Sequence, residues 1–370
     1  MPVPAKLELL GLNLQQLTGL AVAAGHPAYR GRQLFEGLYR RRVTALDQVT
    51  SLPASWRALL ASAYELGLPR MDAVFASIDG TIRYLLEFSD GQSVETVWMP
   101  EGDGGESGDG SEAGEEARSY ARATICVSSQ VGCAVDCRFC LTAQLETRRN
   151  LSAGEIVGQV IAVLNDRKVA VESQRINLVF MGQGEPFLNY DNWIRAVRLL
   201  VEGVGIPESR MTVSTSGIVP RIHDFGAEPV RPKLAISLNA PNDELRTGIM
   251  PLNKKWDIAK LMAAVRDFPL RNREKVTFEY VLLNEVNDRP EHARELAELV
   301  RGIRCKVNLI ALNPGPGIDF RTPADQRVEA FQQILIASGI PAFIRRPRGR
   351  DIYAACGQLK RTTEPIQISL

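Results

Sequence analysis

Three of the six cysteines in this 370-residue chain lie within eight residues, at Cys133, Cys137 and Cys140. In a reducing compartment, the C-x3-C-x2-C spacing indicates a metal or metal-cluster site rather than disulfides. Four cysteines would complete a tetrahedral zinc site or saturate a four-iron cluster, whereas three leave one position open. The spacing alone leaves two alternatives, which are a zinc site with a distant fourth ligand and three unrelated cysteines.

The charge distribution suits a polyanionic partner. The net charge of +1 includes an acidic segment, residues 101–117, with seven carboxylates and no basic residue, so the remainder carries +8. Basic runs lie at residues 29–42 and 345–350. A basic surface of this kind fits RNA, although any one run is equally typical of a solvated surface.

The distribution of apolar residues along the sequence predicts the cellular compartment of the protein. No run of about 18 apolar residues is present, so we expect no membrane span. The first residues lack the basic-then-apolar order of a secretion signal. We therefore expect a cytoplasmic protein.

The secondary structure predicted to position these residues changes along the chain, from helices to a β-meander and then to a loop. Apolar residues at three- and four-residue spacing predict a helical domain over residues 1–69. Strand-like runs separated by Asp79-Gly80 and Asp90-Gly91 predict a β-meander over residues 70–100. Residues 101–119 are expected to form an acidic, glycine-rich flexible loop.

From Arg122 onward, strands and helices alternate. Six apolar, β-branched runs begin with ATICVSS and end with KVNLIAL, and the first helix follows a capping box at Ser152 to Glu155. This pattern predicts the α/β class, with parallel strands inside and helices outside. Six units are too few for a closed eight-unit barrel, so we expect an open partial (β/α)6 barrel over residues 120–346. A C-terminal loop and tail follow over residues 347–370.

A cysteine loop of this spacing directly after the first strand of a (β/α)6 pattern resembles the radical S-adenosylmethionine enzymes. Phe139, between the last two cysteines, fits the same pattern. The resemblance implies that three thiolates hold a [4Fe-4S] cluster whose fourth iron binds S-adenosylmethionine and yields a 5′-deoxyadenosyl radical. The segment GQGEP, which alone predicts a tight turn, then resembles the family's element that holds the cofactor's amino group.

Further motifs narrow the resemblance to the bacterial dual-specificity adenine-C2 methyltransferases of ribosomal and transfer RNA. They cover most of the chain and include RATICVSSQVGCAVDCRFC, MGQGEPFLNY, LAISLNAPNDELR and RGRDIYAACGQL. The resemblance implies that adenosine C2 in 23S ribosomal RNA, and in transfer RNA, is methylated with two S-adenosylmethionine molecules and a methyl-cysteine intermediate. It also implies that the N-terminal helices are an accessory RNA-binding domain.

The same resemblance implies roles for individual residues. Cys356 would carry the methyl group, Cys126 would release the product through a transient disulfide, and Glu95 would accept the C2 proton. The implied contacts to S-adenosylmethionine are Gly184, Glu185, Ser214, Ser237, Leu238, Asn239 and Asn313. The family usually has Ser-Leu-His where this chain has Ser-Leu-Asn, so a contact that requires imidazole would be lost at Asn239. The acidic segment replaces a link that is short in the family.

Other reactive or charged residues receive simpler interpretations. Cys305 is expected to be a small buried apolar residue, and His26, His223 and His292 form no metal or triad pattern. Basic residues beside the two cysteine loops are candidates for contact with RNA phosphates. These candidates are Arg148, Arg149, Arg345, Arg346, Arg348 and Arg350.

Three other functions remain open from the sequence. They are a related adenosine-C8 methyltransferase of the antibiotic-resistance type, a non-catalytic RNA-binding protein with a structural cluster, and a zinc-dependent module. If the chain is the adenine-C2 methyltransferase, we expect a monomer that receives electrons from a flavodoxin or ferredoxin system.

Overall fold

The computed structural model describes residues 6–100 and 122–361. The acidic loop expected at residues 101–119 and the end of the C-terminal tail lie outside these residues. The strands are β1 (Leu7–Glu8), β2 (Tyr64–Glu65), β3 (Arg70–Ala76), β4 (Ile82–Glu87), β5 (Ser93–Pro100), β6 (Arg122–Cys126), β7 (Gln130–Val131), β8 (Arg149–Asn150), β9 (Arg175–Phe180), β10 (Met211–Thr215), β11 (Lys233–Ser237), β12 (Val276–Leu282), β13 (Cys305–Ala311) and β14 (Ala342–Arg345).

Ten α-helices accompany these strands within the described residues, and none of them is long and apolar enough to cross a membrane. They are α1 (Leu14–Ala23), α2 (Tyr29–Phe35), α3 (Ala54–Ala63), α4 (Ala153–Asp166), α5 (Tyr190–Leu199), α6 (Val219–Gly226), α7 (Asp243–Ile249), α8 (Ile258–Arg266), α9 (Pro290–Leu299) and α10 (Asp325–Ala337).

One ten-stranded sheet organises the molecule, in the order β14-β13-β12-β11-β10-β9-β6-β5-β4-β3. Strands β6 and β9 to β14 are parallel, and helices connect most successive strands. The expected α/β fold is therefore confirmed, with a seventh parallel strand beyond the predicted six. Strand β14 was missed because it is four residues long and runs directly into a basic segment, which weakens its apolar signal.

The predicted meander extends this sheet. Strands β3, β4 and β5 are antiparallel, and β5 pairs with β6 through Val97 opposite Cys126. Both predicted turns are present, and their glycines have φ of +84° at Gly80 and +77° at Gly91. The meander thus places Glu95 beside the first strand of the parallel sheet.

The N-terminal helices pack on the parallel region. Within this N-terminal region, the Tyr39 hydroxyl accepts a hydrogen bond from the Gly11 amide at 2.9 Å and donates one to the Leu12 carbonyl at 2.8 Å. Leu17, Leu34 and Trp56 belong to the same continuous apolar core as α4 and α5. The helices therefore share a core with the sheet, and the exact boundaries of the predicted domains stay predictions.

Helix α4 begins as predicted. Ser152 Oγ accepts from the Glu155 amide at 3.1 Å, and Glu155 Oε2 accepts from the Ser152 amide at 2.7 Å. This reciprocal cap satisfies amides that the first turn leaves without helical partners. It also orients Glu155 toward Arg149, whose Nη2 lies 2.6 Å from Glu155 Oε1.

Candidate active site

A short two-stranded ladder closes the base of the cysteine loop. Strand β7 pairs with β8, with Gln130 opposite Asn150 and Val131 opposite Arg149. Gly132 follows with φ +83°, and a Cβ at this position would lie 2.3 Å from the Glu146 carbonyl oxygen. Only glycine fits this close approach, so the ladder and the glycine together set the course of the loop.

Cys133, Cys137 and Cys140 line one cavity of about 160 Å³ at the carboxyl ends of the parallel strands. Burial, together with the neighbouring charges of Cys140 and Glu185, raises the pKa of the Cys133 thiol to about 12. Burial also raises the pKa of Cys137 and of Cys140. Three thiols in such surroundings ionise when a strongly positive group binds between them, as a metal cluster does.

The three cysteine side chains line a common cavity but do not converge on the position of one metal ion. Within residues 6–100 and 122–361, no group of three or more His, Cys, Asp or Glu side chains is close enough to hold one metal ion. Three thiols around a common cavity, with space beside them, fit a [4Fe-4S] cluster with one open iron.

The GQGEP segment forms one wall of this cavity. Gly184 has φ +95°, and a Cβ there would lie 2.6 Å from the Gln130 Cβ, so glycine is required. Glu185 Oε2 accepts from both the amide and the hydroxyl of Ser216 at 2.7 Å, while Oε1 accepts from the Phe187 amide at 3.0 Å. Burial raises the pKa of Glu185, and the Ser216 and Phe187 amides oppose that rise. The carboxyl group is therefore held in one orientation.

Most of the predicted cofactor contacts line the cavity. Those that do are Gly184, Glu185, Ser214, Ser237, Asn239 and Asn313. Leu238 does not line it, because its side chain is fully buried in the apolar core. Alternation along the chain explains the difference, since Ser237 and Leu238 point to opposite sides of the strand end.

Asn239 has a structural role in this wall. Its backbone is left-handed, with φ +60°, a conformation that asparagine adopts more readily than most residues. Its Oδ1 accepts from the Val281 amide at 2.9 Å, and its carbonyl accepts from Asn287 Nδ2 at 2.7 Å. The Asn239 side chain is thus held by a hydrogen bond to the neighbouring strand.

A second cavity, of about 90 Å³, adjoins the first. It is lined by Cys126, Cys140, Arg345 and Cys356, and Cys356 and Cys140 line both cavities. Cys126 ends β6 and is buried, whereas Cys356 is exposed on the C-terminal loop. Burial raises the pKa of Cys126, and a negative charge on Cys356 would raise it further. Both are reduced thiols in this structure.

Hydrogen bonds to backbone carbonyl groups hold the Cys356 loop against the loop of the three cysteines. The Leu141 amide donates to the Gly357 carbonyl at 2.7 Å, and Thr142 Oγ1 donates to the Leu359 carbonyl at 2.8 Å. Asn313 Nδ2 donates to the Cys356 carbonyl at 3.1 Å. The loop of Cys356 and the loop of the three cysteines, which are far apart in sequence, are thereby brought into contact.

Glu95 lines neither of the two cavities. Its side chain is completely buried and forms an ion pair with Arg83. Glu95 Oε2 also accepts from Gln183 Nε2 at 3.1 Å and from the Arg361 amide at 3.0 Å. The C-terminal segment covers this face of the sheet through the Arg361 amide, and Glu95 is therefore withdrawn from solvent.

The predicted RNA-contacting arginines occupy different surroundings, and Arg148 and Arg350 line neither of the two cavities. Arg149 is held within the fold, since its side chain pairs with Glu155 and with Asp90 at 2.6 Å. Arg345, Arg346 and Arg348 line the second cavity. Cys305 is buried at the start of β13, and His26 packs on Trp56 with ring centroids 4.6 Å apart, consistent with structural roles.

Two buried charged residues of the site were missed at the sequence level. Arg246 donates to the Leu238 carbonyl at 3.0 Å and to the Ser216 carbonyl at 2.6 Å, which ties two strand ends together. Glu279 lines the cysteine cavity and accepts from Asn308 Nδ2 at 2.9 Å. A carboxylate inside the otherwise apolar run VTFEYVL was the signal that could have identified Glu279.

Comparison with known proteins agrees with this geometry. The Radical SAM superfamily matches residues 127–299. The chain is 69% identical to the probable dual-specificity RNA methyltransferase RlmN of Koribacter versatilis, over 91% of this chain and 97% of that protein. It is 42% identical to the dual-specificity RNA methyltransferase RlmN of Paracoccus denitrificans, over 98% of this chain and 92% of that protein.

A solved structure extends the agreement to the whole fold. The crystal structure of a radical SAM methyltransferase from Sphaerobacter thermophilus superimposes with a TM-score of 0.86 at 44% identity, and covers 96% of this chain and 99% of that one. Sequence identity and fold thus agree over nearly the full length. The chain therefore belongs to the dual-specificity RNA methyltransferases of the radical SAM superfamily.

Proposed function

We propose that this chain methylates C2 of adenosine in ribosomal and transfer RNA, with Cys356 as the carrier of the methyl group. Membership of the family identifies the chain as a radical SAM RNA methyltransferase. The observation that carries the residue assignment is the position of Cys356, which lines both the three-cysteine cavity and the cavity of Cys126. One sulfur is thus adjacent to the site of radical generation and to a second thiol.

The residues of the first cavity fit the two cofactors. Cys133, Cys137 and Cys140 would hold a [4Fe-4S] cluster, while Glu185 and the Ser214 and Ser237 hydroxyls would bind and orient S-adenosylmethionine. When bound, these groups supply a methyl group for Cys356 and, from a second S-adenosylmethionine, a carbon radical that removes hydrogen from it. The cavity walls shield this chemistry from water.

Radical chemistry is needed because of the target atom. Adenine C2 lies between two ring nitrogens and is electron-poor, so it does not attack an electrophilic methyl group as a nucleophile. A methylene radical on the Cys356 sulfur adds to C2 and forms a covalent adduct with RNA. The adduct then gives up the C2 proton and one electron. This electron would return to the cluster held by Cys133, Cys137 and Cys140, which supplied one electron to cleave the second S-adenosylmethionine.

Cys126 completes the cycle. Its thiolate attacks the Cys356 sulfur, a disulfide forms, and the bond between sulfur and the methylene carbon breaks. The electron pair of that bond stays on carbon, which takes up a proton and becomes the methyl group. An external thiol must then reduce the disulfide before another turnover.

Glu95 is the proposed acceptor of the C2 proton. Burial raises the pKa of its carboxyl group, which makes it a stronger base than an exposed glutamate. The Arg361 amide covers the carboxylate in this structure. The proposal therefore requires the segment around Arg361 to shift when RNA enters.

The remaining parts of the proposal concern partners. They are reduction by a flavodoxin or ferredoxin system, action as a monomer, and location in the cytoplasm.

Anaerobic incubation with labelled S-adenosylmethionine, a reductant and fragments of 23S ribosomal RNA or transfer RNA tests the function. Mass spectrometry of the digested RNA should detect 2-methyladenosine. Formation of 8-methyladenosine would instead establish the related C8 activity, and unmodified RNA with a fully loaded cluster would reject both.

A further inference from the structure

A basic pocket lies at the rim of the active site, apart from the two cavities described above. We call it the rim pocket; its lining residues are Gly91, Gln92, Ser93, Leu145, Arg148, Lys360 and Arg361. Arg148 is exposed, whereas Lys360 and Arg361 are half-buried. Three cationic residues therefore line one opening of about 450 Å³. The ammonium group of Lys360 lies 4.7 Å from the centre of the Tyr353 ring.

The charges of this pocket are not balanced within its walls. None of its lining residues in the described part of the chain is acidic. The nearby Asp90 does not line the pocket, and its carboxylate pairs with Arg149 at 2.6 Å. Burial lowers the pKa of Arg361, the positive charge of Arg148 lowers it further, and the negative charge of the buried Glu95 opposes both effects. Like charges held together in this way attract an anion, whose binding relieves their repulsion.

The polypeptide segments that form the pocket connect it to the reacting groups. Arg148 follows the loop of the three cysteines, and Lys360 and Arg361 follow the loop of Cys356. The Arg361 amide also donates to the Glu95 carboxylate at 3.0 Å. An anion in the rim pocket would therefore bridge the two loops that carry the reacting sulfurs.

We propose that the rim pocket binds a backbone phosphate of the RNA substrate, close to the target adenosine. The inference rests on the proposed function, because it identifies where that substrate is anchored. Phosphate contacts fix the register of RNA, while the target base itself must be turned out of its stack into the site. Cations on both flanking loops suit that task, since they hold the backbone while the base enters.

Neutralising substitutions test this site directly. RNA binding by Arg148→Gln and Arg361→Gln would be measured by fluorescence anisotropy over a series of KCl concentrations. We expect weaker binding at low salt, and a slope of log affinity against log salt that falls by about 1 for each cation removed. Arg148→Lys should keep the slope. Arg301 is an exposed arginine in the turn after α9, and Arg301→Gln is the matched control that should bind like the original chain.

Melting temperature and iron content show whether each variant is folded and loaded. Slopes that stay unchanged in folded Arg148→Gln and Arg361→Gln would overturn the rim pocket. If both variants fail to fold, Gln92→Glu is the alternative test, because it places a carboxylate at the pocket from a surface turn. Unchanged RNA binding in that variant would also overturn the rim-pocket proposal. An original chain that binds RNA but never methylates it would reject the proposed function instead.

Discussion

Arg83 and Glu95 form an ion pair that is almost entirely withdrawn from water, with side chains 1% and 0% exposed. They lie on neighbouring antiparallel strands, and the Arg83 guanidinium also lies 4.2 Å from the centre of the Phe75 ring. The pKa of a buried carboxylate depends strongly on a single neighbouring cation, because the cation stabilises the ionised form. Arg83 is therefore a positioning residue for the proposed base.

Arg83→Gln should shift the pH dependence of methylation upward. Burial already raises the pKa of Glu95, and Arg83 opposes that rise, so removing the charge raises the pKa further. Because the base must be ionised, the rate will fall at neutral pH and recover at higher pH. Single-turnover rates measured across pH would show this shift, and Arg83→Lys should restore most of the original profile.

The same substitution should also destabilise the protein. Removing one partner of a buried ion pair typically costs about 3–5 kcal/mol, so melting temperature must be followed in parallel. A pH profile that is identical in folded Arg83→Gln and the original chain would show that Glu95 is not the base.

Cys356→Ala should abolish RNA methylation without affecting the fold. Cys356 is exposed, so its truncation creates no core cavity, and the methyl group loses its only proposed carrier. Mass spectrometry should find no methyladenosine above background, while cleavage of S-adenosylmethionine by the reduced enzyme continues.

Cys305→Ala is the matched control for that experiment. Cys305 is buried on β13 and lines neither cavity, so the change should cost about 0.5–3 kcal/mol of stability and leave the reaction intact. Retained methylation in Cys356→Ala would contradict the methyl-cysteine proposal.

Cys126→Ala should trap the covalent adduct between protein and RNA. Without a thiol to attack the Cys356 sulfur, the methylene bridge to C2 remains unbroken. Denaturing electrophoresis of reactions with labelled RNA should reveal a slow band that disappears after ribonuclease treatment. Normal turnover in this variant would mean that another thiol, or none, releases the product.

Cluster content should depend on the three loop cysteines and on no other cysteine. We expect about four irons per chain in anaerobically prepared protein, and substantial loss of iron and sulfide in Cys137→Ser. Cys305→Ala and Cys356→Ala should retain both. Stoichiometric zinc in place of iron would instead support the metal-binding alternative.

Local sequence features were enough to predict much of the architecture. The capping box at Ser152, the Asp-Gly turns and the alternating apolar runs each depend on neighbours within a few residues, and the structure contains all of them. The cysteine loop and the GQGEP segment were recognisable for the same reason. Strand β14 was not predicted because short, basic strands lack a clear periodic pattern.

Contacts between distant residues needed the tertiary structure. Sequence could nominate Cys126, Cys356 and Glu95, but could not show that Arg83 and the Arg361 amide enclose Glu95, or that Leu238 points into the core. Residue types and spacings by themselves indicated a metal or metal-cluster site, because three thiols on one short loop act locally, and the resemblance to a known family added the radical chemistry. The packing of the sheet, the meander and the C-terminal segment decided which of the remaining side chains are buried, paired or open to the cavities, because burial and charge pairing depend on segments that meet only in the folded chain.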